Sequence, residues 1–245
     1  MAILSPLTKS LTRGVTQDLF GSLSSPLVNA KSVLFDGTDD FAMVPYQLPA
    51  TTFTVSQWIK INENSSSSAA VYVWDARDAS NTNANIFLPV KISATEYRLR
   101  WWNAGAFRGS LSTDYPIEVW QHVVLVKDGT TGTVYVDGQQ IEAATGFSNT
   151  TNASNITLGG RYAAPLNFGQ IDLDELAMWS SALTSDEVAA LYNAGVPTDL
   201  TKNSGAYVSS SNLQAYYRMG DATSPSADGT DGLIFDQTNP GLGSE

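Results

Sequence analysis

The chain lacks cysteine entirely, and only 15% of its 245 residues are charged. Without cysteine there are no disulfide bonds, no thiol nucleophiles, and no zinc or iron–sulfur sites that depend on thiolate ligands. Hydrophobic residues make up 42% of the chain, so the shortage of charge indicates a packed core rather than general disorder. The composition therefore predicts a folded domain without thiol chemistry.

Positive charge is especially scarce, because 13 Lys and Arg face 24 Asp and Glu for a net charge of −11. Nucleic acids and anionic membrane surfaces both bind basic surfaces, so we expect neither as a partner. No apolar run is long enough to span a bilayer, and the first residues lack a basic segment followed by an apolar one. We therefore expect no membrane insertion and no signal peptide.

Short apolar or alternating stretches separated by turn signals run through most of the chain. The clearest covers residues 52–60, where Phe53, Val55 and Ile59 alternate with outward-facing neighbours. Asp-Gly pairs at 128–129 and 137–138 are strong hairpin signals, since glycine adopts positive φ without a steric penalty. Many short strands with few helical segments predict an all-β, antiparallel two-sheet β-sandwich. Further strands are expected at residues 32–35, 41–44, 70–74, 86–92, 97–102, 122–127, 133–136, 156–158 and 213–219.

One segment near residue 190 carries helical signals instead. Thr184 is a good N-cap, and Glu187 three positions later completes a capping box. Residues 188–192 carry a short apolar stripe, and Gly195 followed by Pro197 predicts the end of the helix. We expect a short helix that lies on the surface of the sandwich.

The patterning divides the chain into three regions. Residues 1–30 are rich in Ser, Thr, Gly and Leu without a clear period, and we interpret them as an arm that becomes ordered against a neighbouring molecule. Residues 31–197 form the predicted sandwich. Residues 198–245 form a C-terminal extension that is expected to add a strand and loops.

Several segments in the predicted sandwich together resemble the laminin-G-like (pentraxin-like) branch of the concanavalin A-like superfamily. Their order and spacing match that family over residues 32–195. The resemblance implies a jelly-roll-like pair of sheets in a protein that binds sugars, other proteins or copies of itself. The segments are VLFDG at 33–37, FTVSQWI at 53–59, WQHVVLV at 120–126, VYVDG at 134–138, ITLGGR at 156–161 and DELAMW at 174–179, followed by the capped helix.

The tail carries a second resemblance. The segments AYYRMGD at 215–221 and FDQTN at 235–239 are similar to segments attached to such domains in virion proteins of marine phages. This likeness, with the unpatterned arm and the absence of a signal peptide, favours a structural or attachment protein on the virion surface. It would be a phage decoration, fibre or tail component. Its expected partners are other virion proteins or copies of itself, joined through the arm, and a cell-surface glycan.

Aspartates near two predicted strands form a candidate metal site. Calcium takes six to eight oxygen ligands, which carboxylates and turn carbonyls supply. The resemblance implies one structural Ca²⁺, with Asp36 and Asp174 at the family's ligand positions, and Asp39 lies in the same turn as Asp36. The alternative interpretation is that Asp36 only forms the turn and that Asp174 caps a loop by hydrogen bonding.

No intact catalytic motif is present. Related glycosidases carry a Glu-x-Asp-x-Glu strand, whereas this chain has Gln170, Asp172 and Asp174 at those spacings, and an amide can neither attack nor transfer a proton. The only histidine, His122, has no Gly-x-Ser-x-Gly nucleophile motif to serve. We expect a protein that is not an enzyme; the remaining alternative is a glycan hydrolase or lyase that uses Asp172 and Asp174.

Aromatic and basic residues on one predicted strand form a candidate glycan site. Arg98, Arg100 and Trp102 share one face of that strand and offer a ring for stacking beside cationic groups for an acidic glycan. The alternative is a solvated strand face whose Trp102 is covered by a loop. Trp58 and Trp120 are expected in the core or at its rim. A carbohydrate-binding module is therefore the second functional hypothesis.

Overall fold

The computed structural model describes residues 29–62, 70–77, 85–149, 151–161, 168–219, 234–238 and 243–244. All but the last two residues of the expected N-terminal arm, and residues 220–233 of the tail, lie outside these ranges. In the described ranges no helix is long and apolar enough to cross a membrane.

The described residues form sixteen β-strands and one α-helix, which confirms the predicted all-β class. The helix, α1, spans Ser185–Tyr192. The strands are β1 (Val33–Asp36), β2 (Ala42–Val44), β3 (Thr52–Ile61), β4 (Trp74–Asp75), β5 (Asn85–Phe87), β6 (Val90–Lys91), β7 (Glu96–Asn103), β8 (Ala106–Pro116), β9 (Gln121–Asp128), β10 (Thr131–Val136), β11 (Gln139–Thr145), β12 (Ile156–Leu158), β13 (Gln170–Trp179), β14 (Leu213–Tyr217), β15 (Ile234–Phe235) and β16 (Gly243–Ser244).

Two seven-stranded antiparallel sheets form the sandwich. Sheet A has the order β1-β13-β3-β9-β10-β11, and β14 also pairs with β13. Since β3 occupies one edge of β13, β1 and β14 share the other edge, β1 beside residues 170–173 and β14 beside residues 176–179. Sheet B has the order β2-β12-β4-β5-β7-β6, and β8 lies on the free edge of β7. A separate two-stranded ribbon joins β15 and β16.

The core lies between the two sheets and follows the alternation in β3. Phe53, Val55 and Ile59 are fully buried, as the alternation predicts. Gln57 shares their face, and its side-chain oxygen accepts a hydrogen bond from the Trp74 indole across the core at 3.0 Å. This bond satisfies a polar group that would otherwise be costly to bury.

A second hydrophobic cluster covers part of the outer face of sheet A. Here α1 and the following segment up to Leu213 pack their apolar side chains on the strands, and the cluster includes the buried Trp179. The predicted capping box of α1 is confirmed, since Thr184 and Glu187 bond each other's backbone N–H groups. The helix ends earlier than predicted, at Tyr192, because Asn193 adopts the left-handed cap conformation with φ 43°.

Several strand predictions differ from the structure. The predicted strand at 70–74 is reduced to the two-residue strand β4, and the one at 86–92 is interrupted between β5 and β6. β8 and β11 were not predicted, because their sequences are largely polar and lack apolar alternation. Both are edge strands of their sheets. One face of an antiparallel strand can remain in contact with water, so these strands do not need an apolar pattern.

Candidate functional site

The structure brings two of the three predicted metal ligands together. Asp36 ends β1, and Asp39 lies in the turn that follows, next to Asp40, which was not among the predicted ligands. One carboxylate oxygen from each of the three lies within 4.8 Å of the others, and all three residues are exposed. Three carboxylates suit a hard cation such as Ca²⁺. Two of them also serve the turn, since Asp36 accepts from Thr38 N at 2.7 Å and Asp40 from Asp36 N at 3.0 Å.

Asp174, the third predicted ligand, lies elsewhere. The antiparallel register pairs Asp36 with Gln170, so Asp174 lies four residues further along β13. It is 6% exposed and pairs with Trp58 of β3 rather than with the turn after β1. Any calcium site built on this turn would therefore use Asp36, Asp39 and Asp40, and calcium binding stays a prediction.

The predicted glycan residues lie together on the outer face of sheet B, but each has a partner within the protein. Arg98 forms a bidentate ion pair with Asp114, with distances of 2.7 and 3.1 Å. The guanidinium of Arg100 lies 5.0 Å from the centre of the Phe107 ring. Trp102 is half-buried and meets the same ring edge-on at 4.8 Å. The three side chains are therefore engaged with neighbours.

A pocket of about 400 Å³ lies on the other side of the sandwich, on the part of sheet A that α1 leaves open. Its volume falls within the range of about 300–1,000 Å³ typical of small-molecule sites. The sequence predicted Trp58 and Trp120 in the core or at its rim and Asp174 at a metal site, whereas the structure brings all three to one pocket. The lining consists of Asn29, Ala30, Lys31, Ser32, Trp58, Trp120, Asp174, Gly195 and Pro197.

Both indoles of the pocket are held in place by neighbouring groups. The ring of Trp58 stacks on Tyr192 of α1 at 5.9 Å and lies 5.1 Å from the ring of His122. The ammonium of Lys60 lies over the Trp120 ring, 5.5 Å from its centre. Because packing restricts both rings before a ligand arrives, a ligand that contacts them pays less ordering entropy.

A bulge in β13 sets the position of Asp174. The regular pairing of β13 with β3 is interrupted between Asp174 and Ala177, and Glu175 adopts a positive φ of 48°. Such bulges redirect side chains and occur often beside functional sites. The bulge is anchored from β14 and the residue after it, because buried Glu175 accepts a hydrogen bond from the Tyr216 hydroxyl and pairs with Arg218 at 3.1 Å.

His122 lies behind the pocket in a buried setting. Its Nε2 is 2.8 Å from Ser56 Oγ, and its buried Nδ1 has no hydrogen-bond partner among the residues that the structure describes. Asp137 accepts from the backbone N–H of His122 at 2.9 Å and does not orient the ring as a triad aspartate would. Burial lowers the pKa of His122 to about 3, so the imidazole is neutral at neutral pH.

The stability of the protein is expected to fall with decreasing pH partly because of His122. Between about pH 6.5 and pH 3 the native imidazole stays neutral, whereas the unfolded chain takes up a proton there. The free energy of unfolding should therefore fall by about 1.4 kcal/mol per pH unit from this group alone. Urea unfolding at one-unit pH steps from 7 to 4 measures the slope. His122→Gln should remove this contribution, and an equal slope in the variant would contradict the assignment.

Comparisons with known proteins agree with this architecture. A family profile described as concanavalin A-like lectin/glucanases superfamily matches residues 35–189. Comparison with curated proteins gave no match. Similar solved structures include a heptameric SAP-like pentraxin from Limulus polyphemus, with 18% identity and a TM-score of 0.53 over 66% of this chain and 81% of the pentraxin.

Two further structures resemble the chain over smaller shares of their own length. One is from Bacteroides ovatus and is described as a carbohydrate-binding protein, with 14% identity and a TM-score of 0.58 over 88% of this chain and 58% of that protein. The other is Trypanosoma rangeli sialidase in complex with 2,3-difluorosialic acid, with 18% identity and a TM-score of 0.51 over 69% of this chain and 28% of the sialidase. At these identities the likeness shows the fold alone.

The predicted phage likeness of the tail is not shown by these comparisons, whereas the laminin-G-like resemblance is confirmed. The matched residues cover more than half of the chain and include strands of both sheets and the start of α1. The chain therefore belongs to the concanavalin A-like lectin/glucanases superfamily.

Proposed function

We propose that this protein binds carbohydrate without catalysis and that the pocket between Trp58 and Trp120 is the binding site. One observation carries the proposal: two tryptophans and the carboxylate of Asp174 line one pocket that is large enough for a small ligand. An indole ring offers a flat apolar surface to the C–H face of a sugar ring. A carboxylate accepts strong hydrogen bonds from sugar hydroxyls.

The pocket supports this function better than the face of Arg98, Arg100 and Trp102. On that face the bidentate ion pair with Asp114 already engages Arg98, whose charge an acidic glycan would need. The pocket offers a concave surface whose lining combines two indoles with the polar side chains of Asn29, Lys31, Ser32 and Asp174. Small-molecule sites are usually concave and place polar groups beside aromatic ones.

The carboxylates around the pocket support binding rather than hydrolysis. Glycosidases of the common type use two carboxyl groups that flank the scissile bond. Asp174 is the one acidic residue in the described lining of the pocket. Asp172, the second residue of the alternative hydrolase hypothesis, pairs with Lys60 at 3.0 Å and accepts from Asn62 at 3.0 Å. Both of these donors contact the same oxygen, Oδ2, so the Asp172 carboxylate is held in an ion pair.

Nothing in the described part of the structure supports the virion hypothesis further. Nearly all of the arm that motivated it lies outside the described ranges, and the described tail residues 215–219 and 235–238 show no contact with another molecule that would test it. A location on a virus particle and contacts through the arm therefore stay hypotheses. Glycan binding would suit a virion attachment protein as well as a secreted binding module.

A glycan array followed by calorimetry with the best-bound oligosaccharide tests the proposed site. Replacing Trp120 by alanine should weaken binding by about tenfold or more, since a tryptophan at a binding site commonly contributes at least the 1.4 kcal/mol that tenfold represents. Trp120 is only partly buried, so the variant is expected to keep its fold. Circular dichroism and thermal unfolding check that it does.

The matched control is Trp102→Ala, which removes an equally large and partly buried ring from the opposite sheet. Its affinity should equal that of the wild type. Loss of binding in Trp102→Ala with full binding in Trp120→Ala would move the site to sheet B. If the wild type binds no glycan, the proposed function is wrong.

A further inference from the structure

A row of side chains adjoins the pocket on the outer face of sheet A. The register pairs Asp172 of β13 with Lys60 of β3 on one side and with Leu34 of β1 on the other, so the three share one face. Asp172 is two residues from Asp174, so the row lies about 7 Å along β13 from the carboxylate that lines the pocket. The row crosses three strands and is therefore roughly 10 Å wide.

The row reaches the pocket through Trp120. Lys60 Nζ lies 5.5 Å from the centre of the Trp120 ring, and that ring is part of the pocket lining. At the other end of the row Leu34 is 50% exposed although it is apolar. A polar pair thus lies between an indole and an aliphatic side chain. This arrangement suits a sugar ring, which carries hydroxyl groups at the rim of an apolar C–H face.

The ion pair of Lys60 and Asp172 keeps hydrogen-bonding capacity on its exposed side. Lys60 Nζ lies 3.0 Å from Asp172 Oδ2, and Asn62 Nδ2 donates to that same oxygen at 3.0 Å. Oδ1 has no donor among the residues that the structure describes and is not one of their buried unpartnered atoms, so a ligand can reach it. The Lys60 ammonium carries three N–H donors, and its side chain is 25% exposed. An open acceptor therefore lies beside open donors.

The two charges of the pair compensate each other, so the row suits a neutral ligand that both donates and accepts. Two neighbouring hydroxyls of a sugar do so: one donates to Asp172 Oδ1, and the oxygen of the other accepts from Lys60 Nζ. Hydrogen bonds to charged groups are stronger than those between neutral groups. Asn62 holds the carboxylate in place before a ligand binds, which lowers the ordering cost of binding.

We infer that the ligand is an oligosaccharide with one sugar residue in the pocket and a second on the row of Leu34, Asp172 and Lys60. The ion pair binds two neighbouring hydroxyls of that second residue, and Leu34 contacts its apolar C–H groups. This inference rests on the proposed function. It names the size of the ligand and the hydroxyl pattern that the protein selects.

Calorimetry on the full chain compares the best-bound oligosaccharide of a glycan array with each of its constituent monosaccharides. The oligosaccharide should bind at least about tenfold more tightly, because one hydrogen bond to a charged group commonly contributes the free energy that tenfold represents. Monodeoxy derivatives of the oligosaccharide test the hydroxyl pattern. Loss of either of two neighbouring hydroxyls should weaken binding to the wild type, and one of these losses should disappear in Asp172→Asn and the other in Lys60→Met.

Both variants are also measured with the complete oligosaccharide. Asp172→Asn removes the carboxylate charge, and Lys60→Met removes the donors while keeping most of the side-chain length, so each should weaken binding by about tenfold. Asp172→Asn should leave monosaccharide binding unchanged, since the described lining of the pocket does not include Asp172. The matched control is Asp114→Asn, which breaks a partly exposed ion pair with Arg98 on sheet B and should bind like the wild type. Partly exposed pairs contribute little to stability, so all three variants are expected to fold, and thermal unfolding checks this.

The outcomes separate this inference from the proposed function. Equal affinity for the oligosaccharide and for one of its monosaccharides would overturn the inference while carbohydrate binding stands. Wild-type oligosaccharide binding by Asp172→Asn and Lys60→Met would overturn it too. So would an equal loss of monosaccharide and oligosaccharide binding in Asp172→Asn, because that residue would then act on the pocket itself. If no glycan on the array binds, both the inference and the proposed function are wrong.

Discussion

Replacement of Arg218 by methionine is expected to lower the free energy of unfolding by about 3–5 kcal/mol. Arg218 Nε lies 3.1 Å from Glu175 Oε1, and the two side chains are only 6% and 5% exposed. Methionine fills similar space without a charge, so the buried carboxylate of Glu175 loses its guanidinium partner. Removing one member of a buried pair is costly because the remaining charge keeps its desolvation penalty.

Lys202→Met is the matched control for that variant. Lys202 also pairs with a carboxylate, that of Asp199 at 2.8 Å, but its side chain is 78% exposed. An exposed pair contributes little, so this variant should unfold at the wild-type urea concentration. Urea titration followed by tryptophan fluorescence compares the three proteins. Equal losses in both variants would show that burial does not set the contribution of the Arg218–Glu175 pair.

Gly159→Ala is expected to lower the free energy of unfolding by about 2–5 kcal/mol, from two causes. Gly159 has a φ of +74°, where a residue with a Cβ atom is strained by about 1–2 kcal/mol. The added Cβ would also lie 2.3 Å from Cδ1 of Phe35, a core ring that is 2% exposed. Overpacking of this kind typically costs a further 1–3 kcal/mol, roughly, because neighbouring core groups must shift.

Gly105→Ala separates the two causes. Gly105 has a φ of +83°, but no atom lies within 4 Å of the position of its added Cβ. It should therefore show only the backbone cost of about 1–2 kcal/mol. The difference between the two variants in urea unfolding measures the contact with Phe35. If both variants lose the same free energy of unfolding, the Phe35 ring moves aside without cost. The close packing of β1 on Gly159 would then contribute nothing to stability.

The parts of the structure that the sequence predicted well are those determined by neighbouring residues. The alternation in β3 predicted its buried face, and the capping box of Thr184 and Glu187 predicted the start of α1. These signals act over two to four residues, so they can be recognised without the fold. The prediction was weaker for β8 and β11, since largely polar edge strands lack the apolar period that marks a strand.

The candidate pocket could not be predicted in the same way. Trp58 and Asp174 are more than a hundred positions apart and become neighbours only through the register of β13 with β3. A shift of that register by one residue would turn Asp174 to the other face of the sheet. The bulge at Glu175 interrupts the regular strand pairing, and the alternation of apolar residues does not predict it. The sequence does show that Glu175 and Arg218 are charged residues within largely apolar segments.

Sequence alone thus determined the fold class, the main hairpins, the capped helix and the family, because each depends on short periods and on their order along the chain. The tertiary structure decided which polar residues meet. In the folded chain Asp39 lies beside Asp36, whereas Asp174 lies apart from both. Arg98 pairs with Asp114, and Trp58 lines the pocket. The physical reason is that strand register and sheet order, rather than distance along the chain, set which side chains share a surface.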